Sequence, residues 1–148
     1  MIRATLIAAF ALAACTQPSA SAPTPPPPQS ELAQRIVADL ARIDSELAVD
    51  GIVAAGIGET ADLGGGLTVR PIDVKEDSRC PANVDCVWPG QLVLRADVSG
   101  VEQDITLDTP LETPHGTLLL AVARPYPFND WPEGEVPLPP YRFGFRRN

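Results

Sequence analysis

The sequence predicts a mainly β protein, an antiparallel β-sandwich or small barrel preceded by one amphipathic helix. Two observations lead there. Up to residue 50 the apolar residues recur with a helical period, in "SELAQRIVADLARIDSELAVDG". Beyond Gly51 the period falls to two, and Gly, Pro and Asp clusters cut the chain into short extended pieces. Short strands at such spacing, with almost no helical signal after them, belong to sandwiches and barrels. The leading helix keeps an α+β arrangement open as the alternative.

The helix is placed over residues 31–49. Leu32, Ile36, Leu40, Ile43 and Leu47 form one apolar stripe at spacings of four, four, three and four. Ser30 suits the N-cap, Glu31 the first turn, and Asp50-Gly51 the stop. The outward face mixes Arg35, Asp39, Arg42 and Glu46. Interfacial helices are usually rich in Lys and Arg on that face, so the stripe is expected to pack on the domain that follows. The alternatives are docking on a partner or lying in a lipid interface.

Strands are expected at 58–63, 67–74, 91–98, 102–107, 117–123 and 141–146, within a domain spanning 57–148. In "QLVLRADV", Leu92, Leu94, Ala96 and Val98 alternate with Val93, Arg95 and Asp97, the pattern of a strand with one face in the core. Pro71 marks an edge or a bulge in "LTVRPIDV". Ser99-Gly100 reads as the turn of a hairpin. From Arg124 to Tyr141 runs a connection with six prolines and the aromatics Tyr126, Phe128, Trp131 and Tyr141. Loops this long are commonly functional. Its aromatics either cap the end of the sandwich, which the composition favours, or form a contact surface.

The beginning of the chain reads as an address. Arg3 precedes an apolar run from Ala4 to Ala14 interrupted only by Thr5, too short for the ~20 apolar residues of a membrane span but suited to a secretory signal. Leu12-Ala13-Ala14-Cys15 resembles the lipobox of bacterial lipoproteins. The resemblance implies removal of residues 1–14 and lipid attachment at Cys15. Thr16, and not aspartate, follows the cysteine, which implies sorting to the outer membrane, facing the periplasm. Residues 15–30 then form a lipidated Pro-rich linker, "CTQPSASAPTPPPPQS", with no charge and nothing large to bury. It is a semi-rigid polyproline II spacer, or else a proline-rich ligand for another domain.

Signal and linker removed, roughly 118 of the 148 residues remain, enough for one domain with a modest core. The formal charge of −8 repels phosphate backbones, so nucleic acid is not an expected partner. If Cys15 carries lipid, Cys80 and Cys86 remain as a pair in an oxidising compartment and are expected to be joined. Zinc and a reactive thiol are the competing readings. Structural zinc takes four N or S ligands, and only the distant His115 could join these two. No metal or cofactor is therefore expected.

The block around the cysteines, "EDSRCPANVDCVWPGQLVLRADV", resembles a signature of small uncharacterised bacterial secreted proteins and lipoproteins. They share Asp-Ser-Arg-Cys-Pro, a second cysteine beside Val-Trp, a glycine and a strand. A "GGLTVR"-like strand before it and a "PYP" block after it extend the resemblance over residues 57–146. Pro89 and Pro71 depart from the pattern. The resemblance implies an extracytoplasmic β fold with a disulfide, and no activity. Within the block, Trp88 is expected as core over the staple, and Arg79 as a loop residue paired with Asp77 or Asp85. The sharper alternative has Arg79 presented outward on a braced turn, as in an inhibitor.

Catalysis finds little supply of residues. His115 near an oxidised cysteine pair has no thiolate to activate, and Asp73, Glu76, Asp77 and Asp85 beside the turn read as solvated charge or a weak calcium site. The expected function is thus a lipid-anchored cell-envelope protein, not an enzyme, whose β module binds another envelope protein or serves a structural role. Inhibitor and, behind it, hydrolase are the alternatives. Arg79, Trp88, Tyr126, Phe128 and Trp131 are the candidate binding residues.

Overall fold

The polar cap and apolar stripe of the leading segment produce two helices where one was expected. In the computed structural model, which describes residues 30–148, α1 runs Glu31–Leu40 and α2 Ile43–Leu47. The lipobox, the signal segment and the linker up to residue 29 lie outside the described residues. The Ser30 hydroxyl accepts from the Ala33 amide at 3.1 Å, the N-cap bond the sequence calls for. The break at 41–42 has a cause far along the chain. The Asp39 carbonyl accepts a 3.1 Å bond from the Arg124 guanidinium, and the Arg42 amide tightens onto that same carbonyl. A side chain inserted into the helical ladder bends it.

Eight strands follow: β1 (Val53–Gly56), β2 (Ala61–Asp62), β3 (Thr68–Asp77), β4 (Leu92–Val98), β5 (Val101–Thr106), β6 (Leu111–Thr113), β7 (Gly116–Arg124) and β8 (Arg142–Arg147). They form two four-stranded sheets, ordered β1-β8-β7-β6 and β2-β3-β4-β5. Every pairing is antiparallel. The protein is mainly β, with two sheets face to face as in a sandwich. β4 shows the expected alternation, with Leu92, Leu94, Ala96 and Val98 buried. These side chains meet Leu118, Leu120, Phe143 and Phe145 of the opposite sheet in one core. Pro71 sits at a register shift between β3 and β4, a bulge of the kind its missing N–H demands. Ser99 and Gly100 both take positive φ, 51° and 90°, which closes the β4–β5 hairpin with the twist its strands require.

Two strands are additional to the expectation, β1 and β6, and the segment expected at 58–63 contributes only Ala61–Asp62 to β2. β1 escapes a period-two reading because "VAAG" has almost no side chain to alternate. It adds to β8, the last strand of the chain.

The helices cover two different surfaces. α2 and the residues after it lie over Gly144 of β8, where a Cβ would clash with Ile52 and crowd Val122 and Leu47. α1 buries Ala33 and Ile36 against Val136, Phe128 and Trp131 of the long connection. The Ser30 amide is tied to the same connection by a 2.8 Å bond to the Glu135 carboxylate. The apolar stripe is thereby consumed inside the domain, and neither a partner nor a lipid surface is needed to cover it.

Candidate functional site

One end of the sandwich gathers nearly all the residues singled out from the sequence. It is built on a buried charged seam where β3 and β7 leave their sheets. Arg79, 7% exposed, sends Nε and Nη2 to the two oxygens of Asp77 at 2.8 and 2.7 Å. Its Nη1 donates to the Ala123 carbonyl at 2.6 Å, and Nη2 also to that of Pro125 at 2.8 Å. The partner is Asp77, not Asp85, and the side chain points inward. An outward Arg79 offered for recognition is therefore corrected: a fork with this many acceptors in the interior is held there by charge-assisted bonds.

The Tyr141 hydroxyl donates to Asp77 at 2.8 Å. Burial works against ionisation of Asp77, but the bonds from Arg79 and Tyr141 outweigh it and hold the carboxyl below its ordinary value. For Tyr141, burial first and then the adjacent Asp77 carboxylate push the phenol up to about 12.

A second arginine extends the seam toward the helices. Arg124 is fully buried and donates through Nη2 to the carbonyl and Oδ1 of Asp39, at 3.1 and 3.2 Å. Its Nε lies 3.0 Å from Glu46 Oε2 as an ion-pair contact, without the alignment of a hydrogen bond. The Tyr126 ring faces both cations, with the Arg124 guanidinium 4.3 Å and the Arg79 guanidinium 5.4 Å from its centroid. Tyr126 is thus a cation–π partner within the seam as well as an exposed ring. Arg124 was not singled out from the sequence; its only signal there is a cation at the end of an apolar run.

Upon this seam stands the stapled loop. Cys80 and Cys86 are bonded, with Cα atoms 5.9 Å apart. The loop is fastened to the long connection by the Ala82 amide on the Pro127 carbonyl and by paired bonds between Asn83 and Asn129 at 2.8 and 2.9 Å. Gly90 closes it with φ +67°, its α-carbon so near the Ser78 carbonyl that no Cβ fits. Trp88 was expected as core over the staple; it is 80% exposed, and its neighbour Val87 is 91% exposed. The correction has a physical reason. The interior position beside the staple belongs to Arg79, and the chain from Val84 to Gly90 is exposed throughout, closed where Cys80 N–H meets the Pro89 carbonyl at 2.9 Å.

Beside the loop, residues 125–141 shape an apolar groove of about 600 Å³. Phe128 and Trp131 meet edge to face at 6.0 Å, and the Trp131 indole donates to the Val136 carbonyl at 2.9 Å. Both are half-buried against α1, so Trp131 supports the helix and does not cap the sandwich as expected. Both also line the groove, together with Tyr126, Leu138 and Tyr141.

The remaining candidates for chemistry lie elsewhere. His115 stands in the β6–β7 turn and shares a depression of about 270 Å³ with Glu112 and Ser99. Glu112 is engaged by the Thr117 hydroxyl, and the Ser99 hydroxyl donates to the Gly66 carbonyl. No hydrogen bond joins Ser99 to His115, the link an activated nucleophile requires. Among the described residues, no three His, Cys, Asp or Glu side chains converge as a metal site would need. No described helix is long and apolar enough to cross a membrane. Compared with known proteins, the chain matches no family model, no curated protein and no solved structure.

Proposed function

We propose that the chain is a lipid-anchored cell-envelope protein, held at the outer membrane through Cys15 and facing the periplasm, whose β-sandwich binds another envelope protein through Val87-Trp88, beside its disulfide-stapled loop. The observation that carries this reading is the pair Val87-Trp88, 91% and 80% exposed beside a loop that a disulfide and the Asn83–Asn129 bonds hold in place. Single exposed apolar residues are ordinary. A tryptophan held out on a braced turn differs, because little conformational entropy is left to lose on binding. Covering a tryptophan of roughly 200 Å² is worth about 5 kcal/mol before association costs, which is why tryptophan recurs among interface hot spots. The inhibitor alternative loses Arg79 as its presented residue and would have to work through Trp88. Catalysis is not favoured by any arrangement of side chains at this end. The lipid anchor rests on the lipobox resemblance, and mass spectrometry of the processed chain is its direct check.

The binding reading is tested by placing a photo-reactive phenylalanine analogue at position 88 in intact cells and irradiating. A discrete protein adduct is expected, and Val87→Ser in the same background should reduce it at least fivefold. Irradiation that yields no adduct at 88, with the protein folded and correctly localised, would overturn the proposal.

A further inference from the structure

The groove formed by residues 125–141 lies beside the point where the described residues begin. The first described residue, Ser30, donates its amide to Glu135 at 2.8 Å, and the residues on either side of Glu135, Gly134 and Val136, line the groove. Ser30 is therefore fastened at the groove's rim. The sequence that ends there is "PTPPPPQS", Pro23 to Ser30. Pro25, the far end of its four-proline run, is five residues from Ser30, so at a reach of at most ~3.6 Å per residue it is never more than about 18 Å away.

The chemistry of the two parts corresponds. Proline-rich segments are pre-set as polyproline II helices and dock in grooves walled by aromatic rings. Here the walls include Tyr126, Phe128, Trp131 and Tyr141, and Glu133 is the one charged residue among those lining the groove. The proline run is itself uncharged, as is all of Thr16 to Ser30. Tyr126 keeps its hydroxyl without a hydrogen-bond partner among the described residues, a donor for a ligand carbonyl. Trp131 and Tyr141 have spent theirs on Val136 and Asp77.

We infer that Pro25–Pro28 dock in cis in the groove of residues 125–141. The short tether supplies an effective concentration in the millimolar range, so even a millimolar intrinsic affinity keeps the run docked about half the time. With Cys15 lipidated as proposed above, docking also shortens the spacer. Of the ~46 Å that fifteen polyproline residues would span, nine residues and ~28 Å remain, so the docked domain stands nearer the membrane than the released one. This inference concerns the groove and does not depend on what Trp88 binds.

The test uses the full chain expressed in bacterial cells and purified in detergent, with Trp88→Phe leaving Trp131 as the single tryptophan. Acrylamide quenching of Trp131 is compared with that of a variant carrying Ser at positions 25, 26, 27 and 28, circular dichroism verifying equal folding. Removing the prolines is expected to raise the quenching constant about twofold. Adding a synthetic peptide of residues 23–30 at millimolar concentration should reverse most of the rise in the variant and change the parent much less. Equal quenching in parent and variant would overturn the inference. Protection that disappears on hundredfold dilution of the parent would overturn it too, since the occupant would then be a second copy.

Discussion

Arg79→Ala puts the two readings of the cysteine block in direct opposition. If the residue were displayed for recognition, its truncation would leave stability untouched. In the structure it occupies the interior, and truncation leaves the Asp77 carboxylate without its cation and the carbonyls of Ala123 and Pro125 without a donor. Breaking a buried ion pair by removing one partner costs about 3–5 kcal/mol. Tyr141 still donates to Asp77, which places the expectation near the lower end, at about 3–4 kcal/mol. For a domain of this size, 1 kcal/mol moves the melting temperature by roughly 4 °C. Thermal unfolding followed by circular dichroism should therefore show a loss of about 12–16 °C. Arg79→Lys keeps the charge but gives up the planar fork, and about half that loss is expected. The double variant Asp77→Ala/Arg79→Ala should be less destabilised than the sum of the two single changes, because the second truncation removes a charge the first has already orphaned. A fall of under 3 °C for Arg79→Ala would refute the reasoning, and so would strict additivity in the double variant.

Two further expectations bear on the same end of the sandwich. Reducing the Cys80–Cys86 bond, which closes a seven-residue loop, should remove about 2 kcal/mol by the chain-entropy estimate; thermal melts with and without reductant check this, and an unchanged midpoint would show that the Asn83–Asn129 bonds suffice to hold the loop. Tyr141 has its folded pKa raised to about 12, so the stability it contributes is complete below its unfolded value near 10 and is lost as pH rises from there toward 12. Urea titrations across pH 9 to 12 should show this alkaline loss in the wild type and a flatter profile in Tyr141→Phe; identical profiles would mean that the phenol does not feel the Asp77 carboxylate.

What could be read from the sequence was local, and what could not was decided at long range. β4 was legible because its four alternating apolar residues all enter the core, and the Ser99-Gly100 turn because its two positive φ values are a property of those two residues. The Ser30 cap belongs to the same class. The helix break was not legible, since the group that causes it, Arg124, lies 85 positions away and no helix propensity near 41–42 announces it. β1 was missed because small residues carry no alternation and gain a partner only from β8. At the candidate site, the sequence singles out five residues and the structure brings them to one region; Arg79 has one of its two expected partners, Asp77, and only Trp88 changes sides. Trp88 was placed inside and is outside; Arg79, whose outward presentation was the sharper alternative, is inside.

The buried arginine and the exposed tryptophan have one physical origin. β7 runs out of its sheet at Arg124, and the carbonyls of Ala123 and Pro125 end up in the interior. Buried carbonyls need donors, and an indole, with its single N–H, could meet one of them at most. The arginine fork meets both and still pairs with Asp77, so the interior position is worth more to Arg79 than to Trp88, whatever their hydropathies. Once Arg79 is fixed, Cys80 is fixed beside it, and the bond to Cys86 together with Gly90 against Ser78 closes the loop too tightly for Trp88 to fold back. The exposed tryptophan is therefore a consequence of the buried arginine. Any substitution that frees the interior site, Arg79→Ala foremost, should disturb the segment at Trp88 even though no contact between the two side chains is required.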